Sequence, residues 1–474
     1  LRLNRSLAAL ACGSFLLSTA HAAPAAHPQA ETETLELAQK AIALRSVEGP
    51  GNQTADVAAL FKNALIAGGF SADDITITPS GETAWMMMRW HGSDPSLKPL
   101  VISGHMDVVE AKPSDWTRDP FKPVVENGYL YGRGSTDMKL DDALAIVALI
   151  QLKREGYKPV RDIILEFSGD EETSMKTGEE IAKKLADAGM VLNVDGADGV
   201  LDEKSGKPIY FSWEGGEKTY ADFRMTVTNP GGHSSEPREV NAIYEMAAAL
   251  LKIGKYQFKP ELNDLTKSYF INAAQWQTPA IGAAMKAFAA NPADRKAIAT
   301  LSSEPSLIGQ IGTTCVATMI NGGHALNALP QKVTANINCR IFPGHKRQDI
   351  MSELKKIADD KNVIFEDTTL GSVATAASPL TPEVSNTIKA AVQSVIPGLS
   401  VFPGISAGAS DSMWFRSHGI PSYGVSPLFI RPSENFMHGL NERTPVSSIR
   451  PSIDIMMKLV SDFAGPVCAF CKTK

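Results

Sequence analysis

The chain has 474 residues, of which 43% are hydrophobic, 21% charged and 7% aromatic, the balance of a globular protein rather than of a disordered, collagenous or coiled-coil chain. At roughly 100 to 200 residues per domain, that length allows two to four domains and needs no disulfide scaffold. Its 46 Lys and Arg against 52 Asp and Glu leave a net charge of −6, so no basic excess attracts a phosphate backbone and nucleic acid is not expected as a partner.

Arg2 and Arg5 precede an apolar run from Leu7 to Leu17, and Ala20-His21-Ala22 supplies a small-x-small pattern. Residues 1–22 therefore read as a cleavable signal peptide, with the mature chain starting at Ala23. That run is too short to span a membrane and no other approaches the ~18 residues needed. The expectation is an exported protein, periplasmic or secreted, with no membrane partner. Ala9-Leu10-Ala11 makes a poor lipobox for Cys12, and residues 23–31, rich in Ala and Pro, read as a tether.

From Leu35 onward helix and strand alternate. Leu35 to Leu44, Ala55 to Ala67 and Asp142 to Leu152 have helical periodicity, while Leu100 to Ser103, Ile163 to Phe167 and Val191 to Val194 are short apolar strands. This alternation predicts an α/β catalytic domain with a mostly parallel sheet over residues 23–218, where ligands gather beyond the carboxyl ends of the strands. Near Tyr220 the order becomes β-α-β-β-α-β, that of an inserted α+β domain of split-βαβ, ferredoxin-like type over residues 219–375. Residues 257–312 exceed an ordinary connection and form an insertion within it. The α/β pattern returns over 376–474. Cys315 and Cys339 lie on consecutive strand-like runs, where an oxidising compartment allows a cross-strand bridge. Cys468-x-x-Cys471 lacks the second half of a redox or zinc motif, which leaves a terminal disulfide or two free thiols.

Metal-type side chains recur just after strands. In His105-Met106-Asp107 a two-residue step puts imidazole and carboxylate on one side of an extended chain, a geometry that suits a ligand oriented by its neighbour. Asp137 follows the glycines of Gly132-Arg133-Gly134 and precedes a helix, where it can bridge two cations or simply cap the helix. The strand ending at Phe167 runs into Asp170-Glu171-Glu172, adjacent acids that repel unless solvated or sharing a cation. Asp195 ends another strand, and His438 lies in a similar position near the far end. Each alone has a plainer reading as surface polarity; together they make a two-metal site with mixed nitrogen and oxygen ligands.

These motifs resemble those of the zinc-dependent exopeptidase and deacylase family that includes aminoacylase, acetylornithine deacetylase, succinyl-diaminopimelate desuccinylase, glutamate carboxypeptidase and carboxypeptidase S. The resemblance spans nearly the whole mature chain, through Ser103-Gly104-His105-Met106-Asp107, Gly132 to Lys139, Asp170-Glu171-Glu172, Gly231-Gly232-His233-Ser234-Ser235, and His438 with Asn441-Glu442; Trp116 to Phe121 matches as well. It implies two Zn2+, with Co2+ or Mn2+ able to substitute: His105 and Asp195 on one ion, Glu172 and His438 on the other, Asp137 between them and Asp107 orienting His105. Glu171 is then the general base of amide hydrolysis. The inserted domain becomes a lid and dimerisation domain, whose His233 donates to the oxyanion, often in a partner subunit's site. Arg340 grips the substrate carboxylate, and Asn327, Gly408 and Ser410 line the substrate.

The activity implied is release of a C-terminal amino acid from a peptide or N-acyl amino acid, nearest to the carboxypeptidase S branch. An N-acyl amino acid deacylase or a dipeptidase is the close alternative, and a non-catalytic peptide-binding protein is the alternative from another class. The chain departs from the family at Leu140-Asp141, where Gly-Gly is usual, and Asp198 and Asp202 compete with Asp195 for the ligand position. Cys339 also stands where an acid is common.

Overall fold

The computed structural model describes residues 27–465; the expected signal peptide, Cys12, Cys468 and Cys471 lie outside them. The expected tether of residues 23–31 is cut short by a helix that already begins at Pro28 and runs to Ile42. Proline in a first turn forfeits no intrahelical hydrogen bond, and Glu31 complements the positive end of the helix dipole.

Ten strands pair into one sheet. Its centre is parallel: Ile163–Ser168, Leu100–His105, Met190–Asn193 and Ser422–Gly424 lie side by side in that order. All six residues of Leu100–His105 and of Ile163–Ser168 are buried, as strands covered on both faces must be. The hairpin Ile75–Ser80 and Thr83–Trp90 adds antiparallel strands on one side. On the other side Pro208–Glu217 pairs with Ser400–Ser406 in parallel and with Gly199–Leu201 in antiparallel fashion. Helix Lys139–Arg154 packs against helices Pro28–Ile42 and Ile449–Phe463 and is buried along most of its length. The three central strands that end at His105, Ser168 and Asn193 all point the same way, so the segments that follow them meet at one end of the sheet. No helix among the described residues is long and apolar enough to cross a membrane.

The inserted domain runs Thr219–Thr228, Ala242–Lys255, Thr314–Gly322, Lys332–Ile341, Arg347–Ala358 and Ile364–Asp367, the β-α-β-β-α-β order expected. Its four strands are all antiparallel, with Thr314–Gly322 at one edge and Ile364–Asp367 at the other. Strict alternation along Thr219–Thr228 sends Phe223, Met225 and Val227 into a core shared with Met246 and Leu354 of the helices, while the opposite face stays polar. Cys315 and Cys339 stand directly opposite on neighbouring strands and are joined in a disulfide. The segment between Lys255 and Thr314 interrupts this domain in sequence but packs elsewhere. Phe270, Met285, Phe288 and Leu301 of its helices close over Phe402 and Tyr210 of the main sheet.

Candidate metal centre

Asp137 occupies the middle of the site. One of its carboxylate oxygens lies 3.1 Å from His105 Nε2 and the other 3.1 Å from His438 Nε2. His438 Nε2 is also 3.1 Å from Glu172, and Glu171 lies 4.0 Å from His105. Three overlapping groups, His105 with Asp137 and Asp195, His105 with Glu171 and Glu172, and Asp137 with Glu172 and His438, each bring their donor atoms within 4.8 Å of one another. His105 ends a central strand; the other five come from segments that follow the central strands, from the turn before helix Lys139–Arg154, or from the late loop around His438.

Electrostatics at this point are dominated by crowding. Burial pushes the Glu171 carboxyl well above its usual range, with Asp195 and Glu172 adding to the rise. Burial also raises Glu172 and lifts Asp195 to about 7. Asp137 goes the other way: burial opposes its ionisation, but hydrogen bonds to His105 and His438 hold it far below the normal carboxylate range. Hydrogen bonds to Asp137 and Glu172 bring His438 up to about 10. Burial works against a charge on His105, yet Asp107 and Asp137 hold its pKa well above the usual value. Among the described residues no Lys or Arg is ion-paired to these four carboxylates. Acids packed this closely either take up protons or share a cation, and two imidazoles with four carboxylates form a donor set that fits divalent metal.

Neighbouring residues hold the donors in place. His105 Nδ1 is 3.1 Å from the backbone oxygen of Asp107 and 3.5 Å from its carboxylate. The Asp107 carboxylate instead accepts the backbone N–H groups of Glu171 and Glu172, at 3.1 and 3.0 Å, and so fixes the acidic loop. Asn193 Oδ1 accepts the N–H of Asp195 at 3.0 Å, and its amide donates to Ser410 and Ser412. The bond between Asp137 and Met138 is cis.

Glu442 has a role that its place beside His438 in the sequence did not reveal. Fully buried, it accepts the N–H groups of Gly134, Thr136 and Asp137 at 3.1, 2.7 and 3.1 Å, and it pairs with Arg133. Arg133 in turn donates to the carbonyl of Gly439 at 3.1 Å. Asn441, with a left-handed backbone, accepts from Thr117 N and Oγ1, which gives the Trp116–Phe121 segment its function of anchoring the His438 loop.

A cleft of about 700 Å³ opens onto the metal donors. Asp137, Glu171, Glu172, Asp195 and His438 line it together with Arg340, Gly408 and Ser410. Ser410 Oγ donates to Glu217 at 2.7 Å, so its hydroxyl hydrogen is engaged within the protein. His233 and Asn327 are not in this chain's own cleft. They sit together on the exposed side of the inserted domain, where Gly232–His233 pairs with Ala328–Leu329 and Ser234 N donates to the Asn327 carbonyl.

The model of Peptidase family M20/M25/M40 matches residues 101–462. The chain is 26% identical over 391 residues to the probable carboxypeptidase S-like 2 of Dictyostelium discoideum, covering 80% of this chain and 74% of that protein. It is 28% identical over 392 residues to the N-fatty-acyl-amino acid synthase/hydrolase PM20D1 of Homo sapiens, covering 78% and 75%. In structure it is similar to the M20 family metallo-carboxypeptidase Sso-CP2 from Sulfolobus solfataricus, with a TM-score of 0.69 at 18% identity over 91% of this chain and 99% of that one. The family match runs through every donor from His105 to His438, and the chain belongs to peptidase family M20/M25/M40 as a metal-dependent hydrolase acting on amide bonds.

Proposed function

We propose that the chain is a di-zinc, carboxypeptidase-like hydrolase that releases the C-terminal amino acid of a peptide or N-acyl amino acid. The observation that carries this reading is Asp137, set 3.1 Å from both His105 and His438 with a further donor group on each side. His105 and Asp195 would hold one ion and Glu172 and His438 the other, with Asp137 shared between them. When bound, the two ions supply Lewis acidity at the scissile carbonyl and at the attacking water. Glu171, next to these donors and at the cleft wall, takes the proton of that water and hands it to the leaving amine. Arg340 receives the substrate's terminal carboxylate, which a planar guanidinium can hold with two parallel hydrogen bonds.

The same reading includes an exported chain that starts at Ala23 and a homodimer formed through the inserted domain. Support for the dimer is an apolar surface on the edge strand Thr314–Gly322 and the adjoining helix. Val316, Met319, Ile320, Tyr244 and Leu251 are all about 60% exposed there, beside an unpaired strand edge. Paired in this way, His233 and Asn327 would serve the partner's cleft.

A second reading, an N-acyl amino acid deacylase, is favoured by Leu370 and Met437, apolar residues that line the cleft and are 85% and 45% exposed. An acyl chain would cover them. The test is zinc content together with hydrolysis of a panel of N-acetyl, N-benzoyl and N-lauroyl amino acids and dipeptides, before and after chelation. About two zinc ions per chain and chelator-sensitive release of the C-terminal residue are expected. Turnover that survives complete metal removal would overturn the reading, and a rate rising steeply with acyl length would move it to the deacylase.

A further inference from the structure

The polar face of the lid sheet contributes Tyr220, Asp222 and Arg340 to the cleft wall. On two neighbouring antiparallel strands Tyr220 stands directly opposite Arg340, and Asp222 opposite Asn338. The two-residue period of a strand puts all four on one face. The Arg340 guanidinium lies 4.9 Å from the centre of the Tyr220 ring, stacked over it. Among the described residues no carboxylate is ion-paired to it.

Asp222 shares this face and the cleft wall with that guanidinium, and three neutral donors already occupy its carboxylate. The Tyr220 hydroxyl donates to one carboxylate oxygen. Asn336 and Asn338 donate their side-chain N–H groups to the other, at 2.7 and 3.0 Å. The arrangement does two things at once. It pins the Tyr220 ring by its far end, and it satisfies Asp222 so that Asp222 does not draw Arg340 into an internal ion pair. A long, flexible cation is held on a fixed aromatic surface with its donors uncommitted, which lowers the ordering cost of binding an anion.

We propose that Tyr220 is a positioning residue for the Arg340 carboxylate clamp, with Asp222, Asn336 and Asn338 holding Tyr220 in register. The proposal rests on the reading of Arg340 as the carboxylate-binding group. Its contribution is to binding of the substrate's terminal carboxylate, so loss of the ring raises KM and leaves kcat nearly unchanged.

The experiment is steady-state kinetics of the zinc-loaded full chain on the fastest N-acyl amino acid of the panel above and on its C-terminal carboxamide. Tyr220→Leu is expected to raise KM for the acid about fivefold and to cut the preference for acid over carboxamide by the same factor, with kcat within about twofold. Tyr220→Phe keeps the ring but removes the hydroxyl that occupies one Asp222 oxygen, so it is expected to raise KM less than Tyr220→Leu does, and adding Asp222→Asn to it is expected to restore most of the preference. Asn338→Leu, which leaves the ring in place but frees Asp222 to compete for Arg340, is expected to raise KM in the same direction, and adding Asp222→Asn to it is expected to reverse that rise. Arg340→Leu separates the two layers. If it leaves the acid preference intact, the clamp reading itself fails. If it abolishes the preference while Tyr220→Leu and Asn338→Leu leave KM unchanged, the positioning role of Tyr220 is overturned and the clamp stands.

Discussion

Arg133 and Glu442 form a buried ion pair across 309 residues of sequence, and through it the turn that carries Asp137 is tied to the loop that carries His438. The Glu442 carboxylate also receives three backbone N–H groups, so a single side chain organises two of the metal-donor segments.

Removing one partner of such a pair leaves the other charge buried and uncompensated. Glu442→Ala is therefore expected to destabilise the fold by about 3–5 kcal/mol and to lower metal affinity as well. Urea denaturation and metal titration of the variant check this; unchanged stability would show that the pair is incidental.

Glu171→Gln keeps the shape of the side chain and removes its capacity to accept a proton. It should retain the parental zinc content while kcat falls about a hundred- to ten-thousand-fold. Elemental analysis alongside turnover decides the matter, since parental turnover would require another base.

Asp411, which is not itself one of the candidate metal donors although its charge is felt at His105 and Glu171, offers a stability test. Burial pushes its carboxyl up to about 8, so the folded chain keeps a proton there that the unfolded chain releases above about pH 4. Stability from this group is complete below pH 4 and falls as pH rises through the window to about 8, by up to about 1.4 kcal/mol per pH unit. Asp411→Asn should match the parent at pH 4 and be the more stable of the two at pH 8. Denaturation midpoints at several pH values would reveal the difference, and parallel curves for the two proteins would refute it.

The exposed edge strand makes an assembly prediction. Ile320→Lys places a charge among the exposed apolar side chains of the edge strand and its adjoining helix, which is expected to convert the proposed dimer into a monomer and lower turnover with it. Sedimentation equilibrium of parent and variant reads the masses directly. A parent that is already monomeric would remove the partner's His233 from the scheme.

The side chains that gather around Asp137 were legible in the sequence as candidate donors because each sits at the end of a short apolar strand or beside a glycine turn, where periodicity and local chemistry give a signal. The order of elements in the inserted domain was equally plain, since strict two-residue alternation marks Thr219–Thr228. What links distant segments left no local trace. Nothing in the neighbourhood of Arg133 announces Glu442, and the helices between Lys255 and Thr314 show apolar faces without indicating that Phe402 and Tyr210 will cover them. The Ala-Pro composition ahead of Thr32 suggested a tether, whereas Pro28 in fact opens a helix. Asp107 also illustrates the limit. Spacing placed it beside His105, but only the folded chain shows its carboxylate engaged by two backbone amides of the acidic loop.

The bond between Cys315 and Cys339 ties the exposed edge strand to the strand that presents Arg340, one residue away from that arginine. Closing a loop with a sequence separation of 24 removes unfolded-state entropy worth about 3.5 kcal/mol in the chain-entropy account. It also forbids a slip of the edge strand by one residue, which would exchange the side chains on its two faces. A chain produced under reducing conditions would lack that restraint, so protein from a reducing host and protein from an oxidising one would differ in how firmly that edge holds its shape.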